Sequence, residues 1–245
     1  GRYSIHKHAY KLRQVIGYLP EHNPLYDEMN VIDFLTFIAK IHNVPRYKIT
    51  SRVLDMLKMC GLEHEKHKNI QELSKGYKQR VGLAQALIHD PEVVILDEPT
   101  TGLDPNQIVE IRELIKNTGK EKTIILSSHI LDEIEATCDR VLILNKGKIV
   151  ADGTSAELRK SNKEKILKLS IRGGNTNDVF NALALINGVE GIDILDNGSF
   201  ELKSLQEDDI EKAIFDTCNQ NHWYLKELIP VERRLEDIFR QVTQN

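Results

Sequence analysis

Val93-Val94-Ile95-Leu96-Asp97-Glu98-Pro99 sets the architecture of the chain. Four consecutive apolar residues, three of them β-branched, read as a strand buried on both faces, the pattern of a parallel sheet covered by helices. Two acids follow at its C-terminal end, the edge where open α/β sheets hold ligands. A hard cation such as Mg²⁺ is commonly held by one or two carboxylates together with substrate phosphates, so Asp97 suits a metal and Glu98 suits a water. Taken alone, the pair reads equally well as a strand ending in solvated acids.

Two flanking segments shift that balance. Downstream, the apolar run Thr123 to Leu126 repeats the buried-strand pattern and is followed directly by Ser127-Ser128-His129, which puts His129 at the same sheet edge. Upstream, Leu73-Ser74-Lys75-Gly76-Tyr77-Lys78-Gln79-Arg80 opens a helix whose core face is Val81, Ala84, Leu87 and Ile88, with Pro91 just beyond it. Ser74 is its N-cap. A helix N-terminus offers unpaired N–H groups and partial positive charge, which suit a phosphate, and Gly76 permits close approach. An N-capped helix with no ligand is the plainer reading of that segment alone. The order of the three segments carries the weight, since chance rarely supplies it.

Around them the chain divides into regions. Gln14 to Leu19 is strand-like and is stopped by Pro20, and Asn30 caps a helix on which Val31, Phe34, Leu35, Ile38 and Ile41 share a face. Val53, Leu54 and Leu57 repeat that spacing before Gly61, so residues of about 30–90 form a helical subdomain. Val141 to Leu144, the turn Lys146-Gly147-Lys148 and Ile149 to Ala151 predict a hairpin. The polar stretch Arg159 to Glu164 marks a boundary between a first domain, 1–160, and a second, 165–245. In the second, Leu167/Leu169/Ile171 and Phe200/Leu202 alternate, Val179/Leu183/Ile186 and Ile210/Ile214/Cys218 are helical, Trp223 to Ile229 is strand-like, and Leu235, Ile238, Phe239 and Val242 mark a last helix. A small α+β domain follows from that order.

Composition removes several classes of function. The 37 acidic and 33 basic residues are mixed along the chain for a net charge of −4, which disfavours nucleic acid as the partner. No apolar run approaches the roughly 18 residues that span a bilayer, and Gly1 to Gln14 lacks the apolar stretch of a signal peptide. Cys60, Cys138 and Cys218 have neither metal nor redox spacing. His64-Glu65-Lys66-His67 and His6-Lys7-His8 sit among charged neighbours and read as solvated surface.

Leu73 to Arg80 resembles the signature of ABC ATPases, Leu96 to Pro99 their Walker B segment, Gly102-Leu103-Asp104-Pro105 their D-loop and His129 their switch histidine. The resemblance runs from about Gln14 to about Gly153, and Gly17-Tyr18-Leu19-Pro20-Glu21 falls at the Q-loop, with Glu21 in place of the usual Gln. It implies an α/β fold, an incomplete P-loop NTPase domain with the helical subdomain, followed by the α+β domain. It also implies an ATP-binding and ATP-hydrolysing subunit of an ABC transporter, using ATP and Mg²⁺. By resemblance, Glu98 and His129 are catalytic, Asp97 and Glu21 serve the metal, and Ser74, Lys75, Gly76, Asp104 and His129 bind nucleotide. Partners implied are a transmembrane permease and a second nucleotide-binding domain, placing the protein in the cytoplasm, peripheral on the inner membrane face. Lys75 and Tyr77 depart from the common Leu-Ser-Gly-Gly-Gln. The Gly-Tyr-Leu-Pro-Glu and Ser-Lys-Gly-Tyr segments and the C-terminal appendage resemble the bacterial gliding-motility-associated type.

No Gly-x-x-x-x-Gly-Lys-Ser/Thr occurs in the sequence. A phosphate loop contributes several charge-assisted hydrogen bonds, and losing three or four forgoes about 5–12 kcal/mol, where micromolar binding is about 8 kcal/mol. The chain as given is therefore expected to bind ATP feebly, with activity in a longer parent chain and an apolar patch left open on the sheet. A non-hydrolysing domain that acts as a binding or scaffold subunit is the alternative.

Overall fold

Three parallel strands, β1 (Ile16–Leu19), β2 (Val93–Asp97) and β3 (Thr123–Ser127), form one sheet with β2 at its centre. They belong to a computed structural model that describes residues 3–160, 165–196, 198–204, 210–231 and 234–243. The chain divides into two compact units, Gly1–Cys138 and Asp139–Asn245.

In the first unit α1 (Ala9–Val15) precedes β1. Gln14 and Val15, read from sequence as strand, close this helix instead. Ala9 to Gln14 is built mainly of good helix formers, and the Ile16 amide still bonds back to Leu12 O. The helical subdomain holds α2 (Val31–Ile41), α3 (Arg46–Met59) and α4 (Lys75–Leu87). Asn30 caps α2 as expected, accepting from the Asp33 amide at 2.9 Å. Val31, Phe34, Leu35, Val53, Leu57, Val81 and Leu87 are all buried in one core, whereas Ile41, at the last residue of α2, and Leu54, beside Val53 on α3, read from sequence with these faces, are exposed. α5 (Pro105–Gly119) and α6 (Leu131–Thr137) complete the unit.

Register shows what each sheet face does. Gly17, Val94 and Ile124 are aligned across the strands, as are Leu19, Leu96 and Leu126, and this face lies on the helical core. Tyr18, Ile95 and Ile125 are aligned on the other face, where Tyr18 is 50% and Ile125 55% exposed. The expectation that helices cover both faces of these strands is thus corrected, and the expectation of an apolar patch left open on the sheet is met: one face is covered, and the other carries an open apolar row.

The end of α4 holds β1 in place. His89 Nε2 lies 3.1 Å from Ile16 O, and its ring stacks on His42 at 3.9 Å and 11°. Burial, then the neighbouring His42 and Arg52, pushes the His89 pKa down to about 4. Folded His89 stays neutral while the unfolded chain takes up its proton near the usual 6.5, so this contribution to stability is complete above about 6.5 and is lost as pH falls toward 4. Urea midpoints measured across that window should fall with acidification and flatten in His89→Phe.

The second unit begins with a hairpin, β4 (Val141–Asn145) and β5 (Lys148–Gly153), turning at Lys146 (φ 50°) and Gly147 (φ 76°) as the sequence predicts. α7 (Ser155–Lys160) follows, and α10 (Leu235–Thr243) packs against α7 and β4. Compactness thus groups the hairpin with this unit, ahead of the boundary read from the polar stretch, of which residues 161–164 lie outside the described residues. The remaining elements are β6 (Lys165–Arg172), α8 (Thr176–Ala184), β7 (Val189–Ile194), β8 (Phe200–Ser204), α9 (Ile210–Gln220) and β9 (Tyr224–Val231). They form a β-α-β-β-α-β unit with antiparallel order β7-β8-β6-β9, the ferredoxin-like arrangement. Leu167, Leu169, Phe200, Leu202, Val179, Leu183 and Ile214 are its core. Sequence reading missed β7, an edge strand whose alternation is broken by Gly191 and a register shift after Val189.

Candidate functional site

Parallel pairing puts Asp97 opposite Ser127 at the C-terminal edge of β2 and β3, and Ser127 Oγ donates to Asp97 Oδ1. Asp97 alternates onto the same face as Ile95, the open one. The next residue, Glu98, is left-handed at φ 48°, a conformation costing a side-chain-bearing residue about 1 kcal/mol or more. Its amide bonds Ser127 O at 3.1 Å, and its carboxylate accepts from Thr101 Oγ1 at 3.1 Å. Its other oxygen lies 2.9 Å from His129 Nδ1. The Glu98 side chain is 18% exposed and that of His129 72%. The Glu98 hydrogen bond and charge raise the His129 pKa, and Glu133 and Glu21 add to this. Glu21 itself is exposed, in the loop after β1. The following turn is fixed from below, where Thr100 Oγ1 donates to Glu133 at 2.6 Å with both residues buried.

A second cluster forms where α4 and α5 begin. Ser74 caps α4, accepting from the Tyr77 amide at 3.4 Å. Asp104 caps α5, accepting from the Asn106 and Gln107 amides at 3.0 and 2.9 Å, and the Gln107 side chain returns to the Asp104 amide. Gln107 also lies over Gly76, where a Cβ would stand 2.6 Å from its Cδ. Gly76 is buried beneath that side chain, while Ser74 and Lys75 are exposed. The Lys75 ammonium sits over Gly102, 2.0 Å from where a Cβ would be. Asp104→Ala is expected to cost about 1 kcal/mol of stability by loss of this cap, measurable by urea denaturation.

The structure thus brings Asp97, Glu98 and His129 together, with the charge of Glu21 reaching the group. It brings Ser74, Lys75, Gly76 and Asp104 together separately, and among the described residues no hydrogen bond or ion pair joins the two sets. Sequence reasoning missed Ser127 as the partner of Asp97, Thr101 and Glu133 as supports, and Gln107 as the lid over Gly76. Only Gln107 had a local signal, the Asp-x-x-Gln spacing of a capping box.

Among the described residues no three His, Cys, Asp or Glu side chains are arranged to enclose a metal. A single carboxylate oriented by Ser127, with Glu98 beside it, fits a Mg²⁺ that takes its other ligands from phosphates and water. Nor, among the described residues, is any helix long and apolar enough to cross a membrane.

The ABC transporter family model matches residues 2–101. YxlF of Bacillus subtilis, an uncharacterized ABC transporter ATP-binding protein, is 36% identical over 160 residues, covering 65% of this chain and 54% of its own. Linearmycin resistance ATP-binding protein LnrL of the same organism is 30% identical over 251 aligned positions, covering 99% of this chain and 79% of its own. Among solved structures, cbiO1 of Clostridium perfringens, part of the ABC transporter complex cbiONQ, aligns with a TM-score of 0.56 at 36% identity over 62% of this chain and 65% of its own. The chain spans about half the length of curated relatives such as YxlF. With LnrL matched nearly end to end, and with the α/β architecture shared with these ATPase domains, this chain belongs to the ABC transporter ATP-binding protein family.

Proposed function

We propose that the chain is the ATP-hydrolysing part of an ABC transporter, working on a membrane-spanning partner through association of two copies. The observation that carries this reading is the Glu98–His129 contact of 2.9 Å at the C-terminal edge of a parallel sheet. Glu98, braced by Thr101, is the general base that takes a proton from the attacking water. His129, its pKa raised by that carboxylate, presents positive charge to the terminal phosphate. Asp97 and Glu21 are the residues that would hold Mg²⁺, which when bound offsets phosphate charge. Ser74, Lys75 and Asp104, on an exposed cluster of their own, serve the nucleotide of a second copy, with Gly76 shaping that helix start beneath Gln107. The β-α-β-β-α-β part, β6 to β9, is an appended module of this subunit. The gliding-motility type gains no support from the relatives named above and forms no part of this reading.

The test is Mg²⁺-dependent phosphate release from ATP, measured on this chain and on the chain preceded by a family phosphate loop. Release is expected in the second form and nearly none in the first. Asp97→Asn should abolish it. Hydrolysis in neither form, or undiminished hydrolysis in Asp97→Asn, would overturn the proposal.

A further inference from the structure

The loop after β1 is seated on α4 through a notch in the helix. Asn23 lies against α4, with Nδ2 donating a long hydrogen bond of 3.5 Å to Lys78 O. A Cβ built on Gly82 would stand 1.8 Å from that Nδ2, 2.7 Å from Asn23 Cγ and 2.7 Å from Leu19 Cδ1. Gly82 is buried inside the helix and is absent from the glycines with positive φ. Alanine would serve a helix interior better there, so the residue answers to the space that Asn23 occupies. Asp27 ties the same loop down again, accepting from Lys78 Nζ at 3.0 Å. That pair is partly exposed, at 34% and 59%, and such pairs hold little, which leaves the notch as the part that fixes position. Both attachments fall on the helix capped by Ser74, and Asn23 lies two residues after Glu21.

We infer that Asn23 is a positioning residue: seated in the Gly82 notch, it fixes the loop carrying Glu21 to α4, so that Glu21 and the start of that helix move as one piece. The seat stands on geometry alone, and its consequence for Mg²⁺-dependent hydrolysis rests on the function proposed above.

Urea unfolding tests the seat with Gly82→Ala, Asn23→Ala and the two combined. Gly82→Ala should lower the midpoint in the native background and lose the share of that effect that Asn23 causes once Asn23 is trimmed, the contact with Leu19 Cδ1 at 2.7 Å being common to both backgrounds. If Gly82→Ala fails to fold alone, recovery in the double variant supports the seat. An equal loss in both backgrounds overturns it, and where neither variant folds the amide exchange of Asn23→Ala decides. Amide exchange tests the coupling: Asn23→Ala should speed exchange in the loop of residues 21–26 and in the first turn of α4 together, and faster exchange in the loop alone overturns it. For the site, in the chain preceded by a family phosphate loop, Asn23→Ala should keep kcat at saturating Mg²⁺ nearly unchanged and raise the Mg²⁺ concentration for half-maximal hydrolysis several-fold, in the same direction as Glu21→Ala. The combined variant should be no worse than Glu21→Ala, and additive effects overturn the positioning role. Absence of hydrolysis in the form with the phosphate loop counts against the proposed function, while unfolding and exchange still decide the seat and the coupling.

Discussion

In the chain preceded by a family phosphate loop, Glu98→Gln is expected to slow ATP turnover by about 10²-fold or more while leaving Mg²⁺-ATP binding intact. The glutamine keeps the shape of the side chain and its hydrogen bond from Thr101, so packing near the sheet edge is preserved. What is lost is the proton acceptor, together with the carboxylate hydrogen bond and then the charge that raise the His129 pKa. A second readout therefore accompanies the rate: the His129 titration, followed by NMR, should move down toward its ordinary value in Glu98→Gln. A variant that turns over at the native rate removes Glu98 as general base. A His129 titration that does not move removes the electrostatic link between them.

Gly17→Ala is expected to prevent cooperative folding of the first unit. The added Cβ would stand 2.1 Å from Ala86 O and 3.0 Å from Ala86 C, where real contacts essentially never fall below 3.0 Å. Both of these atoms are backbone in the last turn of α4, so no rotamer change relieves the clash. β1 has to retreat from the helix, and with it go the His89–Ile16 contact and the alignment of Leu19 with Leu96. Losses of this kind reach about 4–5 kcal/mol, comparable to the entire stability of many domains. Gly119→Ala is the control. Its Cβ would meet only Ile124 Cδ1, at an ordinary 3.7 Å, and the change should be neutral or stabilising by up to about 1 kcal/mol. Circular dichroism and denaturation of both variants check the contrast, and a well-folded Gly17→Ala would show that β1 is not held as closely as described.

Local chemistry was readable from the chain. The capping residues Asn30 and Ser74, the periodic faces of α2 and α4, the β2 and β3 runs and the Lys146-Gly147 turn all depend on residues within a few positions of one another. Spacing alone therefore places them. The site was legible as a set of residue types at strand ends and a helix start, but its connections were not. Glu98 and His129 are 31 residues apart, Asp97 and Ser127 are 30, and the register of two strands decides whether such groups touch. A slip of one residue would turn Asp97 to the opposite face. The burial of Gly76 under Gln107, the Asn23 seat on Gly82 and the grouping of the hairpin with the second unit likewise exist only once distant elements pack. Sequence periodicity records which face of an element is apolar, whereas the partner that covers each face is chosen by three-dimensional packing.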